Sequence, residues 1–335
     1  MKRILFPIIT VCLCLVLVLI CSEIILRSTG HTPWRYVGID SNEPTMHEPD
    51  PVLGWRNKEG KYTVPPYVRS GETTYVTFLN HGRRTTGPKE SDARDEFIIV
   101  GDSFTQGWAI SDAETYPWKL QQSYPSLKVL NYGTGGYGTY QSLLVLEREL
   151  PRMKSPALVV YGFFSQHEKR NVADDEWLRT LSRYSKRAHV FIPYATADDD
   201  GGLARHSPER FLALPLHERS ATIAGIETLY MWMTAHRRGE QGRRVTETLL
   251  MEMNKLCEKY GAKFVTVILH ADDETSSYYK SRLEKSHMEF IDCNYPLTEE
   301  MRVPGEGHPN GRMNSLWAQC IQRGLGNQIA LYQSH

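Results

Sequence analysis

The order of apolar and polar positions along the chain predicts five buried strands with helices between them. Apolar runs without polar alternation, typical of strands covered on both faces of a parallel sheet, occur at 97–100, 127–130, 157–164, 264–269 and 288–291. Between them, apolar residues recur at helical spacing over 114–124, 139–153, 245–260 and 312–323. This alternation favours a doubly wound α/β fold, in which helices cover both faces of a five-stranded parallel sheet.

The amino-terminal residues predict a membrane span. Residues 4–21 are almost entirely apolar and follow Lys2 and Arg3, and this length crosses a bilayer core. Either a cleaved signal peptide or an uncleaved signal anchor fits the run. No small-residue cleavage site follows it, and Ile20 before Cys21 makes a poor lipidation site. Both observations favour an uncleaved anchor that comprises residues 1–27. The positive-inside rule then places the amino terminus in the cytoplasm and the remainder in the periplasm or another extracytoplasmic space.

Residues 28–90 differ in composition from the rest of the chain. They are rich in Pro, Gly, Thr and Tyr and contain short alternating runs, which predicts a small β-rich collar rather than an independent core. Trp55, Arg56, Arg83 and Arg84 are candidates to line a groove there, although packing and surface roles are commoner. Residues 91–335 form the predicted α/β domain. Its pattern is lost over about 172–222, which we interpret as an insertion that caps the sheet edge.

Charge and cysteine content exclude some classes of function. The 335 residues hold 39 Lys plus Arg and 39 Asp plus Glu, so no net charge favours nucleic acid. Outside the apolar run, Cys257, Cys293 and Cys320 permit at most one disulfide in an oxidising compartment, and the pairing stays open. The chain has neither a C-x-x-C nor an H-E-x-x-H motif, so we predict no metal and no cofactor.

A single serine follows the first predicted strand on a turn that begins with glycine. Gly101 permits a tight exit from the strand, and Asp102 and Ser103 are both good N-cap residues for a helix that begins near Phe104. Ligands of such sheets bind at the carboxyl edge, where backbone N–H groups at a helix N-terminus stabilise an oxyanion. Ser103 is therefore a candidate nucleophile, although an ordinary capping serine fits the same pattern.

A histidine occurs in the connection between the last predicted strand and the last helix. That connection reads Gly-Glu-Gly-His-Pro-Asn-Gly over 305–311 and contains His308. It opens at the same edge of the sheet as Ser103, so the imidazole could serve as general base. Glu306 could hold the ring in the required tautomer and stabilise the imidazolium. These three residue types are sufficient for acyl transfer.

The Gly-Asp-Ser turn and the late Glu-Gly-His-Pro-Asn segment together resemble the SGNH, or GDSL, hydrolase superfamily of esterases, lipases and carbohydrate acetyl-handling enzymes. The resemblance covers roughly residues 91–325. It implies that Ser103 is the nucleophile and contributes its N–H to the oxyanion hole, and that His308 is the base. Residues 131–139, which read Asn-Tyr-Gly-Thr-Gly-Gly-Tyr-Gly-Thr, resemble the second block of the family. The resemblance then implies Gly136 as the oxyanion glycine, with Gly135 as the alternative.

Two features depart from the family pattern. The third block usually reads G-x-N-D, whereas residues 163–171 read Phe-Phe-Ser-Gln-His-Glu-Lys-Arg-Asn. Gln166 stands at the place of the donor asparagine and Asn171 matches a later one, so both are candidates to line the oxyanion hole. The acid Glu306 precedes the histidine by two positions rather than three. Asp292 is the reserve acid, and a Ser–His dyad is the third possibility.

The residues and the resemblance together indicate a membrane-anchored serine esterase. An acylated carbohydrate or another small ester is the expected substrate, and O-deacetylation of a cell-envelope glycan suits the predicted location. One alternative is a polysaccharide O-acetyltransferase with the same Ser-His site. Another is a glycan-binding or assembly protein without turnover. A lipase is disfavoured because neither the collar nor the insertion shows a long apolar stripe.

Overall fold

The computed structural model describes residues 2–33, 44–184, 191–198, 200, 202–210 and 214–333. Part of the predicted collar (34–43) and parts of the predicted insertion therefore lie outside the described residues. Helix α1, Lys2–Ser28, contains the predicted apolar run. Its segment Phe6–Ser28 has a mean hydropathy of 2.9 and is long enough to cross a membrane, as either an anchor or a signal sequence.

The collar is built from two antiparallel strand pairs. Its strands are β1 His47–Asp50, β2 Gly54–Asn57, β3 Gly60–Val64 and β4 Thr74–Phe78. Strand β1 pairs with β2, and β3 pairs with β4. Val64, Val76 and Phe78 form a small apolar cluster with Met46, whereas Trp55 packs into the main core. The collar thus has a minor core of its own and is also packed against the α/β part.

The α/β part contains the remaining strands and helices. Its strands are β5 Asp95–Gly101, β6 Leu127–Asn131, β7 Pro156–Phe164, β8 Phe191–Ala197, β9 Leu203–Arg210, β10 Lys263–His270 and β11 Phe290–Asp292. Its helices are α2 Ser103–Gln106, α3 Tyr116–Ser123, α4 Thr139–Glu149, α5 His167–Asn171, α6 Asp175–Tyr184, α7 Ala221–Gly239, α8 Gly242–Lys259, α9 Asp273–Lys285 and α10 Gly311–Gln333.

Five of these strands form the central sheet in the order β11-β10-β7-β5-β6, and every neighbouring pair is parallel. This confirms the predicted five-stranded parallel sheet, in the strand order typical of flavodoxin-like folds. Strand β11 begins at Phe290, two residues later than predicted. The N–H of Met288 bonds to the carbonyl of Leu283, so this residue lies in the turn that ends α9.

Side chains of the sheet alternate between two apolar cores, one on each face. On β5, Ile98 and Val100 point toward α4, α8 and α9, whereas Phe97 and Ile99 point toward α3 and α10. Because both faces are covered, each strand is apolar at nearly every position, which is why the strands were readable as unbroken apolar runs. The strand order changes direction between β5 and β7, and the crevice at their carboxyl ends is where such folds bind ligands.

The predicted insertion is more regular than its sequence pattern indicates. It contains α6, the antiparallel pair β8–β9 and the first two residues of α7. Strand β8 contacts α4, α5 and α8, and α6 packs on α7. Helix α7 also exposes a row of large apolar side chains. That row lies at 226–233, beyond the predicted bounds of the insertion, where helical periodicity alone cannot tell a buried face from an exposed one.

One disulfide forms among the three cysteines outside α1. Cys293, directly after β11, is bonded to Cys320 on α10, 27 positions later. Cys257 is a buried free thiol, and burial raises its pKa to about 12. The structure thus selects one of the pairings that the sequence left open.

Candidate active site

Ser103 lies at the carboxyl end of β5, on the turn into α2. Gly101 has φ 156°, and a Cβ there would overlap the side chain of Thr105. Asp102 caps the helix because its carboxylate accepts a hydrogen bond from the N–H of Phe104 (3.0 Å). Ser103 itself is 6% exposed. A tight glycine exit and a capping aspartate thus fix the direction of the serine side chain.

Arg84 of the collar holds the segment that follows α2. It is fully buried, pairs with Asp112 at 3.0 Å and donates to the carbonyls of Gln106 and Ile110 at 2.9 and 2.6 Å. Arg83 pairs with Glu90, and Arg56 pairs with Glu48. The collar arginines therefore make structural contacts, and Arg84 holds the end of α2 and the segment after it in place through hydrogen bonds to their backbone carbonyls.

His308 is held by a loop that folds back on itself. Gly305 and Gly307 have φ values of 80° and 95°, a region that favours glycine. The reversal brings one carboxylate oxygen of Glu306 to the backbone N–H of His308 (2.8 Å) and the other to ring Nδ1 (2.7 Å). A spacing of two residues is therefore sufficient, because Gly307 lets the chain turn between the acid and the histidine.

The other ring nitrogen of His308 points at the serine. His308 Nε2 lies 3.0 Å from Ser103 Oγ, within hydrogen-bond distance. The ring makes an edge contact with Phe104 at 5.9 Å and lies 6.3 Å from Trp108 between ring centroids. Serine, imidazole and carboxylate are thus connected in one chain of contacts, an arrangement that can activate a hydroxyl for acyl transfer.

Gly136 lies on the loop that follows β6, at the carboxyl edge of the sheet. Its φ is 82°, and a Cβ there would lie 3.1 Å from the ring of Trp55 and 3.3 Å from that of Trp177. The N–H of Gly135 donates to the side chain of Gln106. Within the described residues, the N–H groups of Gly136 and Ser103 have no hydrogen-bond partner. Of the two candidate glycines, Gly136 is therefore the one whose donor is available.

The two candidate amides of the third block differ in their surroundings. Asn171 is buried, and its NH₂ group donates to the hydroxyls of Thr139 (2.9 Å) and Thr246 (2.8 Å). Its oxygen accepts from the N–H of Tyr140 (3.0 Å). Asn171 thus binds the start of α4 to α8, and its amide is not directed at Ser103. Gln166 is exposed, directly before α5.

A buried charged cluster behind the serine was not found from the sequence. The carboxylate of Asp102 accepts a 2.8 Å bond from Arg170 and lies 3.4 Å from His167 Nε2. Although burial alone would raise the pKa of Asp102, these contacts hold it well below its usual range. Burial lowers the pKa of His167, and the guanidinium of Arg170, 2.8 Å from the carboxylate, is the cation that pairs with Asp102.

Arg170 also connects the cluster to the second loop. It donates to the carbonyl of Tyr137 (2.9 Å), and its guanidinium lies 4.8 Å from the ring of Trp177. One side chain thus fixes the serine turn relative to the loop that carries Gly136. The available signal was the charged run Glu-Lys-Arg at 168–170, which reads equally well as a solvated helix face.

The reserve acid lies elsewhere. Asp292 pairs with Lys280 at 2.8 Å and accepts from the N–H of Asn294 at 3.1 Å. The structure does not bring it to His308, whose ring is held by Glu306. Within the described parts of the chain, no group of three or more His, Cys, Asp or Glu side chains is arranged to hold a metal ion.

Comparisons with known proteins return fold-level similarity only. No family model and no curated protein matches the chain. Among solved structures it is similar to a lipolytic protein of the G-D-S-L family from Veillonella parvula, at 14% identity and TM-score 0.40, covering 68% of this chain and 97% of that one. It is also similar to TesA, at 12% identity and TM-score 0.43, covering 69% and 98%. A catalytic mutant of Axe2, an acetylxylan esterase from Geobacillus stearothermophilus, matches at 13% identity and TM-score 0.41, covering 71% and 97%.

Values this low carry no inference about activity or substrate. The class of protein is instead defined by the strand order of this chain and by the side chains at the crevice between β5 and β7, where that order changes direction. A flavodoxin-like parallel sheet presents a Gly-Asp-Ser turn on its first strand and a late histidine 3.0 Å from that serine. This is an α/β protein with a flavodoxin-like parallel sheet, and a serine, a histidine and a glutamate lie together at the carboxyl edge of that sheet.

Proposed function

We propose that this protein is a membrane-anchored serine esterase that works through an acyl-enzyme on Ser103. The observation that carries the proposal is the 3.0 Å contact between Ser103 Oγ and His308 Nε2, with Glu306 bound to the opposite ring nitrogen at 2.7 Å. Because the carboxylate holds the proton on Nδ1, Nε2 is free to accept the serine proton. Ser103, His308 and Glu306 are then nucleophile, base and orienting acid.

The reaction follows from these positions. His308 takes the hydroxyl proton while Ser103 Oγ attacks the ester carbonyl, and the N–H groups of Ser103 and Gly136 donate hydrogen bonds to the oxyanion that forms. His308 then gives the proton to the departing alcohol, which leaves an acyl-serine. A water molecule, deprotonated by the same imidazole, attacks the acyl group and releases the carboxylic acid. Arg170 acts as a positioning residue, because it connects the serine turn to the Gly136 loop.

We propose that the substrate is an acylated carbohydrate, with an acetyl ester of a cell-envelope glycan as the specific case. Aromatic rings surround the oxyanion loop. A Cβ on Gly135 would lie 3.5 Å from the ring of Trp108, and one on Gly136 would lie close to Trp55 and Trp177. Binding sites for small ligands commonly combine such apolar walls with few polar groups. Trp108 and Trp177 are only half-buried, so they are the rings of this wall that a bound sugar would contact.

The proposed location is extracytoplasmic, with α1 retained as an anchor. The last turns of α1 are bound into the folded domain, since Glu23 accepts bonds from the N–H groups of Ala221 and Thr222, both at 2.9 Å. Removal of α1 would leave these donors at the start of α7 without their partner. The Cys293–Cys320 disulfide is typical of an oxidising compartment. Lys2 and Arg3 favour a cytoplasmic amino terminus.

A fluorophosphonate probe tests the proposal, because only an activated serine is phosphonylated. We expect the wild-type chain to be labelled, and Ser103→Ala and His308→Ala to be unlabelled. Ser165→Ala, on the nearby loop after β7, is the matched control and should label normally. Labelling that survives Ser103→Ala would contradict the assignment. A wild-type chain that resists the probe would favour a binding or assembly protein without turnover.

Transfer of the acyl group to a sugar hydroxyl is the second candidate. Ser103 is only 6% exposed, and the His308 ring contacts Phe104, so water has restricted access to the acyl-enzyme. Restricted access favours a bound acceptor over bulk water. Release of p-nitrophenol from its acetate ester, measured with and without added oligosaccharide, separates the two. Acetylated sugar in the products would identify an O-acetyltransferase, and free acetate alone would identify an esterase.

A further inference from the structure

Helix α7 presents a row of large apolar side chains to solvent. This stripe, whose members are between 47 and 70% exposed, consists of Ile226, Leu229, Tyr230, Trp232 and Met233. The opposite face is buried and packs toward Leu178 of α6; it consists of Ala221, Ala224, Glu227, Met231 and Ala235. Four members of the stripe recur at helical spacing, so they share one outward face. Scattered apolar residues are normal on a surface, but a contiguous row marks a contact surface.

The start of this stripe adjoins the amino-terminal helix. Besides the bonds that Glu23 accepts from α7, Ser22 and Thr222 share a hydrogen bond of 3.0 Å. A Cβ on Gly225, next to Ile226, would lie 3.8 Å from Leu26 of α1. The apolar surface of α1 therefore continues directly into the stripe of α7.

The two helices separate after this junction. Residues 15–20 of α1 are 47 to 64% exposed, so α7 does not run alongside the apolar segment. The stripe members beyond Ile226 are equally uncovered. Because α7 has 19 residues, it extends roughly 28 Å, nearly all of it beyond the contact with α1. The fold thus leaves two uncovered apolar surfaces that meet at one corner.

On the basis of the membrane anchor proposed above, we propose that the stripe of α7 lies in the interfacial layer of the bilayer that α1 would cross. Tyrosine and tryptophan are the residues enriched at this depth, and the stripe contains Tyr230 and Trp232. An interfacial helix buries its apolar face between headgroups and acyl chains and keeps cationic residues at the headgroups. Exposed Arg237 follows the stripe in the last turn of α7. Continuity with α1 selects lipid over a second protein as the occupant.

Docking of α7 would also fix the orientation of the active site toward the membrane. The far end of α7 is bound to the segment after α5, since His236 lies 3.1 Å from a carboxylate oxygen of Asp175 and Arg238 donates to the carbonyl of Ala173 (2.9 Å). The same segment leads into Trp177, whose ring faces Gly136. Membrane surface, α7 and the wall of the site thus form one connected unit.

Site-directed fluorescence on the full chain in phosphatidylcholine–phosphatidylglycerol vesicles tests this proposal. The exposed thiols of α1 are removed by Cys12→Ala, Cys14→Ala and Cys21→Ala, and buried Cys257 stays unlabelled. An environment-sensitive dye is attached through Met233→Cys. Met251→Cys on α8 is the matched control, because Met251 is also an exposed helical methionine. A third sample keeps Cys14 as the only reactive thiol and reports the span itself.

Lipids with a nitroxide near the headgroup should quench the dye at position 233 roughly threefold more strongly than the dye at position 251. In unlabelled protein, brominated lipids should quench tryptophan emission, and Trp232→Phe should lose part of this quenching. Quenching at Cys14 by lipid with a nitroxide on the acyl chain, without quenching at position 233 by the headgroup nitroxide, would overturn the docking of α7 alone. Quenching at neither would overturn the span as well. A dye at 233 that is shielded from iodide yet unaffected by nitroxide lipid would show a protein partner instead of lipid.

Discussion

Substitution of Glu306 by glutamine separates the proposed acid from its alternatives. In the structure the carboxylate accepts two hydrogen bonds from His308, one from the backbone N–H at 2.8 Å and one from ring Nδ1 at 2.7 Å. A glutamine can accept only one of these bonds with its oxygen and turns an NH₂ group toward the other. If the oxygen stays on the backbone N–H, the NH₂ group favours the tautomer whose proton is on Nε2. That tautomer cannot accept the proton of Ser103.

The magnitude follows from the bond that is lost. A hydrogen bond to a charged group contributes about 1.5–3 kcal/mol, and each 1.36 kcal/mol in the barrier changes a rate about tenfold. Since the imidazolium forms only as the serine proton moves, the loss is expected in the transition state. We therefore expect Glu306→Gln to lower kcat roughly 10- to 150-fold, with little change in KM.

The assay is hydrolysis of p-nitrophenyl acetate, with the rate of fluorophosphonate labelling as a second measure. The matched control is Asp292→Asn, which removes a carboxylate that pairs with Lys280 on the surface. Its activity should stay within about twofold of wild type, as for other surface changes. A Glu306→Gln variant with wild-type rates, or a larger loss in Asp292→Asn, would refute the argument that Glu306 orients His308.

Three further predictions concern stability, each measured by thermal unfolding. Arg170→Met should destabilise the fold by about 3–5 kcal/mol, because Asp102 would stay buried without its cation, and Asp102→Asn in the same chain should recover most of the loss. Burial raises the pKa of Asp174 to about 6, so its ionisation opposes folding as pH rises from about 4 to 6. The free energy of unfolding of Asp174→Asn, which can still cap α6, should equal that of wild type at pH 4. At pH 8 it should be larger by about 1–2 kcal/mol, after allowance for solvent screening. Equal free energies of unfolding at pH 8 would contradict this prediction. Replacing Cys293 and Cys320 together by alanine should cost about 3–4 kcal/mol for the 27-residue separation, and reductant should no longer affect the variant.

The pH dependence of the reaction offers one more measurement. The proposed base accepts a proton only when its imidazole is neutral, so the esterase rate should be higher at alkaline than at acid pH. A rate that does not vary with pH would argue against an imidazole base. Asp102 should not contribute to this profile, because its contacts with His167 and Arg170 keep its pKa well below its usual range.

The sequence by itself determined the five strands of the sheet and the two candidate residues Ser103 and His308. Five strands were readable because burial on both faces leaves each of them apolar without interruption, as in 157–164. Ser103 and His308 were readable because glycine, a capping aspartate and proline mark the turns that deliver them to the carboxyl edge. These signals are local, so a linear pattern contains them.

Tertiary structure decided the contacts that depend on residues far apart in the chain. The sequence left Glu306, Asp292 and a dyad open, and the choice came from the fold of the loop around Gly307 and from the pairing of Asp292 with Lys280. No pattern in the sequence singled out Arg170, because its partner Asp102 is 68 positions away and only the packing brings the two together. The outward face of α7 was hidden for the same reason. Periodicity reports that a helix has an apolar face, but only the neighbouring elements determine whether that face is covered.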